Sequence, residues 1–176
     1  MAGAAPLSKS EILRLLDALN TELAASGVRG ELYLVGGAVM CLALGARDST
    51  RDVEALFAPT AAVRTAAARI ATREGLVENW LNDAVKGYLS ARGSFEPFLE
   101  KPHLAVFVAR PEYLLAMKCV AMRLGEEFRD LDDVRYLLRY LNITSASAAI
   151  AIVTQYFDAA EIPLTTTLVL EELFGA

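Results

Sequence analysis

Two acidic residues two positions apart offer the clearest chemistry in the sequence. Asp52 and Glu54 lie in a predicted strand, residues 51–57. Side chains alternate along a strand, so both carboxylates are expected on one face, with Cα atoms roughly 7 Å apart. Gly36 and Gly37, here called the glycine turn, open a short predicted helix just before them. Such a turn leaves backbone N–H groups open to an anion, and paired carboxylates suit a divalent metal.

Two other interpretations of this stretch stay open. Asp52 and Glu54 are equally compatible with an exposed polar strand face. Arg47 and Arg51 flank the pair, where they could hold phosphates or balance the carboxylates, or could be solvated surface residues. The glycine turn lacks the GxGxxG and GxxxxGK[ST] spacings, so neither a dinucleotide fold nor a P-loop is indicated.

A lysine interrupts the apolar face of a predicted helix that begins at Pro111 and runs to about Gly125. On a helical wheel, Lys118 lies between Leu114 and Met122 in the apolar arc. Burying an unpaired ammonium group is costly. The side chain therefore either extends along its stem to water or places its head at an anionic site.

The following predicted helix, residues 131–141, carries possible anionic partners. Asp133 borders the apolar face of this helix, whereas Asp132 does not. Asp130 and Asp133 also have the spacing of an N-cap residue and a first-turn residue that compensates the helix dipole. The spacing therefore predicts that Asp130 caps the helix, and it leaves open whether Asp133 only supports the helix terminus or complements Lys118.

Hydrophobic periodicity predicts the elements that must position these residues. Ser8 and Glu11 have the spacing of a capping box and predict a helix of about 17 residues ending near Ser26. The other predicted elements are strand 31–35, helix 38–44, strand 51–57, helix 59–73, a short helix 80–87 capped by Asn82, a loop marked by Gly93 and Pro97, strand 103–109, and helices 111–125, 131–141, 145–157 and 164–174. This order predicts a single domain, 1–176, with an α/β part at about 28–110 and a helical part at about 111–176.

Composition restricts the class of protein. The chain has 176 residues, of which 55% are hydrophobic and 22% charged, which favours a folded domain. No apolar run is long enough to span a bilayer, and residues 1–10 lack the features of a signal peptide. Cys41 and Cys119 fall in predicted helices and are expected to be buried, reduced thiols, which predicts a cytoplasmic protein.

Charge and histidine content exclude other functions. The formal net charge of −5 argues against a protein that holds nucleic acid by charge alone, although a local basic patch stays compatible with it. His103 is the only histidine. The sequence therefore argues against histidine-ligated metal sites and against a Ser-His-Asp triad unless His103 itself serves.

The candidate residues together resemble a known family. The glycine turn, followed by a short helix and then by Arg47, Thr50, Asp52 and Glu54, is similar to the signature of the polymerase-β-like nucleotidyltransferases. The closest likeness is to their small AbiEii/MenT-like bacterial branch, with the pattern Gly-Gly … Arg-x-x-Thr-x-Asp-(Val/Ile)-Asp. Lys118, followed by Arg-Asp-x-x-Asp at residues 129–133, resembles a second element of that branch. The likeness spans roughly residues 30–175.

The resemblance implies a fold and a reaction. The fold would be a small mixed sheet flanked by helices, with a helical C-terminal half. The reaction would be Mg²⁺-dependent transfer of a nucleoside monophosphate from an NTP to a hydroxyl of an acceptor, either a tRNA end or a protein. Several such enzymes are toxins, which implies an antitoxin protein as a possible partner; no membrane is expected as a partner, because no apolar run is long enough to span one. The catalytic residues would be Asp52 and Glu54, which bind the metal, with Lys118 and Asp133; the nucleotide-binding residues would be Gly36, Gly37, Arg47, Thr50, Arg51 and Lys118.

Three departures from the family pattern support an alternative. Glu54 stands where the family more often has Asp, Ala38 replaces a serine, and strand 103–109 carries no third carboxylate. The alternative is a weak or inactive nucleotidyltransferase fold that binds a nucleotide or a partner protein.

Overall fold

A computed structural model describes residues 5–122 and 129–175 of the chain. The chain divides into two compact units. The first unit comprises Met1–Gly87 and Phe95–Ala109, and the second comprises Tyr88–Ser94 and Arg110–Ala176. The predicted boundary between the α/β part and the helical part, near residue 110, coincides with a boundary between the two units. The second unit also includes residues 88–94, which the prediction assigned to the α/β part. That the whole chain is one domain stays a prediction.

The first unit is a mixture of strands and helices, which confirms the predicted α+β class. Its elements in chain order are β1 (Leu7–Ser8), α1 (Lys9–Ala25), β2 (Gly30–Leu34), α2 (Gly36–Leu42), β3 (Ser49–Thr50), β4 (Val53–Ala58), α3 (Thr60–Glu74), β5 (Leu81–Asn82), β6 (Phe95–Lys101) and β7 (Leu104–Ala109).

Five of these strands form one mixed sheet in the order β5-β4-β2-β7-β6. Strand β2 runs parallel to β7 and antiparallel to β4, while β4 is parallel to β5 and β6 is antiparallel to β7. Strands β1 and β3 form a separate antiparallel pair. Helices α1 and α3 pack against each other, with α1 against β7 and α3 against β4. These contacts place both helices on one face of the sheet.

Helix α1 has the length and the cap that the sequence predicts. The Ser8 hydroxyl accepts a hydrogen bond from the Glu11 amide, and the Glu11 carboxylate accepts one from the Ser8 amide at 2.9 Å. The helix is 17 residues long and buries its periodic apolar residues, Ile12, Leu15, Leu16, Leu19 and Leu23.

Three wrong predictions in the first unit concern the candidate site or the sheet, and sheet pairing explains the last two. Strand β4 begins at Val53, so Asp52 lies at a bend before the strand. Leu81 pairs with Val53, so a short strand replaces the start of the predicted helix 80–87, and only the 3-10 turn Ala84–Tyr88 remains. Pro97 lies in the edge strand β6 at a register shift, where its missing N–H is tolerated.

The second unit contains four described helices: α4 (Pro111–Val120), α5 (Asp130–Tyr140), α6 (Ala146–Tyr156) and α7 (Leu164–Leu173). Helix α4 packs against α5 and α6, and α6 packs against α7. The prediction that α4 continues toward Gly125 was wrong, because α4 ends at Val120 with Ala121 as its C-cap residue. Gly125 itself lies outside the described residues. Helix α6 begins as predicted, with the Ser145 hydroxyl accepting from the Ala148 amide.

Across residues 5–122 and 129–175, no helix has both the length and the apolar character needed to cross a bilayer.

Candidate functional site

The glycine turn is the point at which several candidate residues of the first unit meet. Gly36 has a φ of 63°, in the left-handed region that favours glycine. A Cβ at Gly36 would collide with Oε2 of Glu54, so the Glu54 carboxylate lies against the turn. A Cβ at Gly37 would lie 2.5 Å from Oγ1 of Thr50 and 2.9 Å from Nη1 of Arg47. The turn must therefore lack side chains to admit these three polar groups.

Neighbouring strands hold these groups in place. The Val35 amide donates to the Glu54 carbonyl at 3.0 Å, which joins the end of β2 to the start of β4. Val53 and Ala55 are buried and Glu54 between them is half-buried, so the glutamate lies on the opposite face of β4. Thr50 is buried and pairs with Leu7 of β1.

Asp52 is held by a residue that the sequence did not identify as part of the site. The Asn82 side-chain amide donates to Oδ2 of Asp52 at 2.9 Å. Asn82 is also the register partner of Glu54 in the parallel pair β4–β5. Register partners share a face of a sheet, so the amide and the Glu54 carboxylate lie on the same face. No short-range signal could have found this contact, because it joins residues 30 positions apart.

The two candidate arginines differ in their surroundings. Arg47 is half-buried with its guanidinium group beside the glycine turn, as phosphate binding would require. Arg51 lies at the bend before Asp52 and is exposed to solvent. The structure thus brings Arg47 to the turn, and it places Arg51 on the surface next to the first candidate carboxylate.

Lys118 lies in the second unit between two aspartates. Its Nζ atom lies 2.9 Å from Oδ2 of Asp133 and 3.3 Å from Oδ1 of Asp130. The side chains are 13% exposed for Lys118, 7% for Asp130 and 4% for Asp133. The lysine head therefore reaches an anionic group, as one of the two alternatives predicts. These three residues are called the lysine cluster below.

Asp130 differs from its predicted role. Helix α5 begins at Asp130 itself, Arg129 occupies the N-cap position, and no side-chain cap bond is present there. The prediction that Asp130 caps the helix was therefore wrong, and its carboxylate pairs with Lys118 instead. Asp130 and Asp133 both lie in the first turn of α5, where negative charge also compensates the helix dipole.

Asp52 and Glu54 have the right chemistry for magnesium. Mg²⁺ prefers oxygen ligands and usually takes one or two protein carboxylates, completing its shell with water and substrate phosphates. Two carboxylates near the glycine turn fit that description. In the part of the chain that the structure describes, no three His, Cys, Asp or Glu side chains form a metal-binding group.

The two cysteines are buried, and the histidine is hydrogen-bonded within the fold. Cys41 and Cys119 are free and buried, as predicted. Burial raises the pKa of both thiols, that of Cys119 to about 12. His103 lies at the β6–β7 connection, with its backbone amide donating to the Asn20 side chain and its Nδ1 3.0 Å from the Val28 carbonyl.

Comparison of the chain with protein-family models, with curated proteins and with solved structures gives no match. The likeness to the nucleotidyltransferases thus depends on the motif residues themselves, and membership of that family stays a prediction.

Proposed function

We propose that this protein is a magnesium-dependent nucleotidyltransferase that moves a nucleoside monophosphate from an NTP to an acceptor hydroxyl. The observation that supports this most strongly is the convergence of polar groups on the glycine turn. Glu54, Thr50 and Arg47 all approach the two glycines closely. A carboxylate, a hydroxyl and a guanidinium gathered at one buried turn suit the recognition of a metal-bound triphosphate by side chains.

The reaction requires one bond to form and one to break. The acceptor oxygen attacks the α-phosphorus of the NTP, and the bond from that phosphorus to the oxygen bridging to the β-phosphate breaks. Pyrophosphate leaves with the electron pair, and the hydroxyl proton passes to a site carboxylate or to water. Magnesium, when bound, neutralises phosphate charge during this displacement.

Each residue of the first unit has a definite task in this proposal. Asp52 and Glu54 hold the metal, and the Asn82 amide orients the Asp52 carboxylate through their hydrogen bond. The glycine turn leaves room for Glu54, Thr50 and Arg47, and the Arg47 guanidinium would offset the negative charge of the triphosphate. That Lys118 and Asp133 complete the catalytic residues stays a prediction of the family resemblance.

The proposal is tested by asking whether labelled nucleotide is transferred. Wild-type protein is incubated with Mg²⁺ and each of the four NTPs, labelled at the α-phosphate, together with tRNA and with protein acceptors. We expect label in one acceptor class and a loss of roughly a hundredfold or more in Asp52→Asn, since that change weakens the metal site. Asp48→Asn is the matched control, because Asp48 is exposed and only four positions away.

Lys118 and Asp133 need their own comparison. We expect Asp133→Asn to reduce transfer, whereas Asp132→Asn should not, because the Asp132 side chain is 77% exposed in the same helical turn. Equal activity of the two variants would remove Asp133 from the proposed catalytic residues while leaving the role of Asp52 intact.

A second candidate function is a non-catalytic module that binds a nucleotide or a partner protein. The observation that favours it is that candidate residues already satisfy one another: Asp52 is bonded to Asn82, and Lys118 contacts two aspartates. Binding of Mg-NTP should raise the thermal stability of a working nucleotide site. No effect of Mg-NTP on either wild type or Asp52→Asn would favour a module that binds a partner protein.

A toxin role in the cytoplasm is the physiological form of this proposal, with an antitoxin protein as the partner. It predicts that expression of wild type arrests growth of a bacterial host and that Asp52→Asn does not. Arrest by both proteins would separate toxicity from nucleotide transfer.

A further inference from the structure

A cavity of about 440 Å³ lies at the β5 edge of the sheet in the first unit. Its apolar wall includes Phe57 of β4, Ala67 of α3 and Leu81 of β5. Its size falls within the range of small-molecule sites, which combine an apolar wall with a few polar groups. We call it the edge cavity.

An arginine and an aromatic ring face each other in the edge cavity. The guanidinium carbon of Arg64 lies 5.9 Å from the centre of the Phe57 ring. Nη2 of Arg64 lies 2.9 Å from Oδ2 of Asp83, which keeps the guanidinium over this side of the cavity. The Arg64 side chain is 60% exposed whereas the Phe57 ring beneath it is only 7% exposed, so the guanidinium would have to move outward for a base to reach the ring. Guanidinium groups and aromatic rings both stack on planar nucleobases.

Polar groups at the rim match the edge of a nucleobase. Asn79 lines the cavity and is exposed, and among the described residues its side-chain amide has no hydrogen-bond partner. An amide offers both a donor and an acceptor, as base edges require. Asn82 lines the same cavity and donates to Asp52, so the cavity adjoins a candidate metal ligand.

We propose that the edge cavity binds a nucleobase, which stacks between the Arg64 guanidinium and the Phe57 ring while Asn79 contacts its polar edge. The assignment of this base to a substrate rests on the proposed function, because only that function makes Asp52 a metal ligand. Two substrates carry such a base: the NTP and the terminal nucleotide of an RNA acceptor. The experiment below distinguishes them.

Trp80 provides a reporter beside the cavity. It is the only tryptophan in the chain. Its indole N–H donates to the carbonyl of Ala67, a wall residue, at 3.0 Å. Titration of tryptophan fluorescence therefore measures binding of each of the four NTPs, of a mixed-sequence RNA hexanucleotide, and of inorganic tripolyphosphate, which has no base. Equilibrium dialysis of the same probes confirms the dissociation constants.

The decisive variant is Arg64→Ala, with Arg69→Ala as its matched control. Both arginines lie in α3 with side chains 60% exposed, but Arg69 pairs with Glu22 and does not line the edge cavity. We expect Arg64→Ala to raise the Kd of the base-carrying probe about tenfold, the range for loss of one stacked base, and to leave tripolyphosphate binding unchanged. Arg64→Lys should recover only part of the loss, because it restores charge without the planar group.

The outcomes separate the substrates and the two proposals. An effect on the NTPs assigns the cavity to the NTP base, and an effect on the hexanucleotide assigns it to the acceptor. Equal binding by wild type and Arg64→Ala, or no binding of any base-carrying probe by wild type, overturns the cavity proposal. Transfer activity that is independent of Arg64 would leave the proposed function standing. Base binding that depends on Arg64, without any transfer, would refute the function alone.

Discussion

Replacing Gly36 with alanine tests whether the Glu54 carboxylate is held against the glycine turn. Alanine at this position meets two obstacles, a φ of 63° and the Oε2 atom of Glu54. Gly45 offers a control with only the first obstacle. Its φ is 61°, and a Cβ there would have nothing within 4 Å. The difference between Gly36→Ala and Gly45→Ala therefore isolates the contact with Glu54.

General energies of backbone and side-chain strain give the expected size of both effects. A left-handed alanine costs roughly 1–2 kcal/mol, so Gly45→Ala should lower the free energy of unfolding by that amount. Moving the Glu54 side chain out of its rotamer adds about 0.5–1.5 kcal/mol in Gly36→Ala. In a chain of this length, 1 kcal/mol corresponds to a Tm change of roughly 2–4 °C.

Denaturant and thermal unfolding of the two variants measure this difference, and Mg-ATP binding gives a functional readout. We expect Gly36→Ala to be the less stable variant and to bind Mg-ATP more weakly than wild type, because its Glu54 carboxylate has moved. Gly45→Ala should bind Mg-ATP as wild type does. Equal stability of the two variants would refute the placement of Glu54 against the turn.

Three further predictions concern charged and buried groups. Lys118→Met should lower the free energy of unfolding by about 3 kcal/mol or more, because it leaves two buried aspartates without their lysine; denaturant unfolding measures this. The hydrogen bond from Lys86, with a smaller contribution from Arg64, lowers the pKa of Asp83 below its ordinary value of 3.8. The ionised Asp83 carboxylate therefore stabilises the fold above that value, and this stabilisation is lost as the pH falls through the lower pKa of the folded protein. Asp83→Asn should therefore flatten the decline of Tm below about pH 4. Neither Cys41 nor Cys119 should react with iodoacetamide in the folded protein, as mass spectrometry can show, because burial raises both thiol pKa values.

Each of these predictions has a clear contrary result. Lys86→Met is the control for Lys118→Met, since the Lys86 side chain is 53% exposed and its pairing should contribute no more than about 1 kcal/mol. Equal destabilisation by the two lysine variants would contradict a buried lysine cluster. An unchanged acid profile in Asp83→Asn, or rapid modification of Cys119 before unfolding, would contradict the corresponding contacts.

Local patterns in the sequence were enough to predict elements whose signals lie within one turn or one strand. The capping box at Ser8 and the apolar repeat after it predicted α1 correctly, because both reflect contacts between residues three or four positions apart. The helical wheel also identified Lys118 as a lysine in an apolar arc, but it left open whether the head reaches water or an anionic group; the structure shows the anionic group.

Features that depend on distant residues could not be predicted in this way. Asn82 has the sequence signal of a helix cap, and its side chain does accept from the Ala84 amide at 3.2 Å. Its bond to Asp52, however, follows from the pairing of β5 with β4, which no local pattern encodes. Asp130 likewise has the spacing of a cap, but a buried lysine on another helix attracts its carboxylate instead.

The most direct test of the central claim compares two labels on the same nucleotide. Wild-type protein, Mg²⁺, tRNA and protein acceptors are incubated with an NTP labelled at either the α- or the γ-phosphate. The proposed function predicts that label from the α-phosphate enters an acceptor while label from the γ-phosphate leaves as pyrophosphate, and that Asp52→Asn reduces both events by roughly a hundredfold or more. Absence of α-label from every acceptor with all four NTPs, or equal transfer by Asp52→Asn, would contradict nucleotidyl transfer at this site.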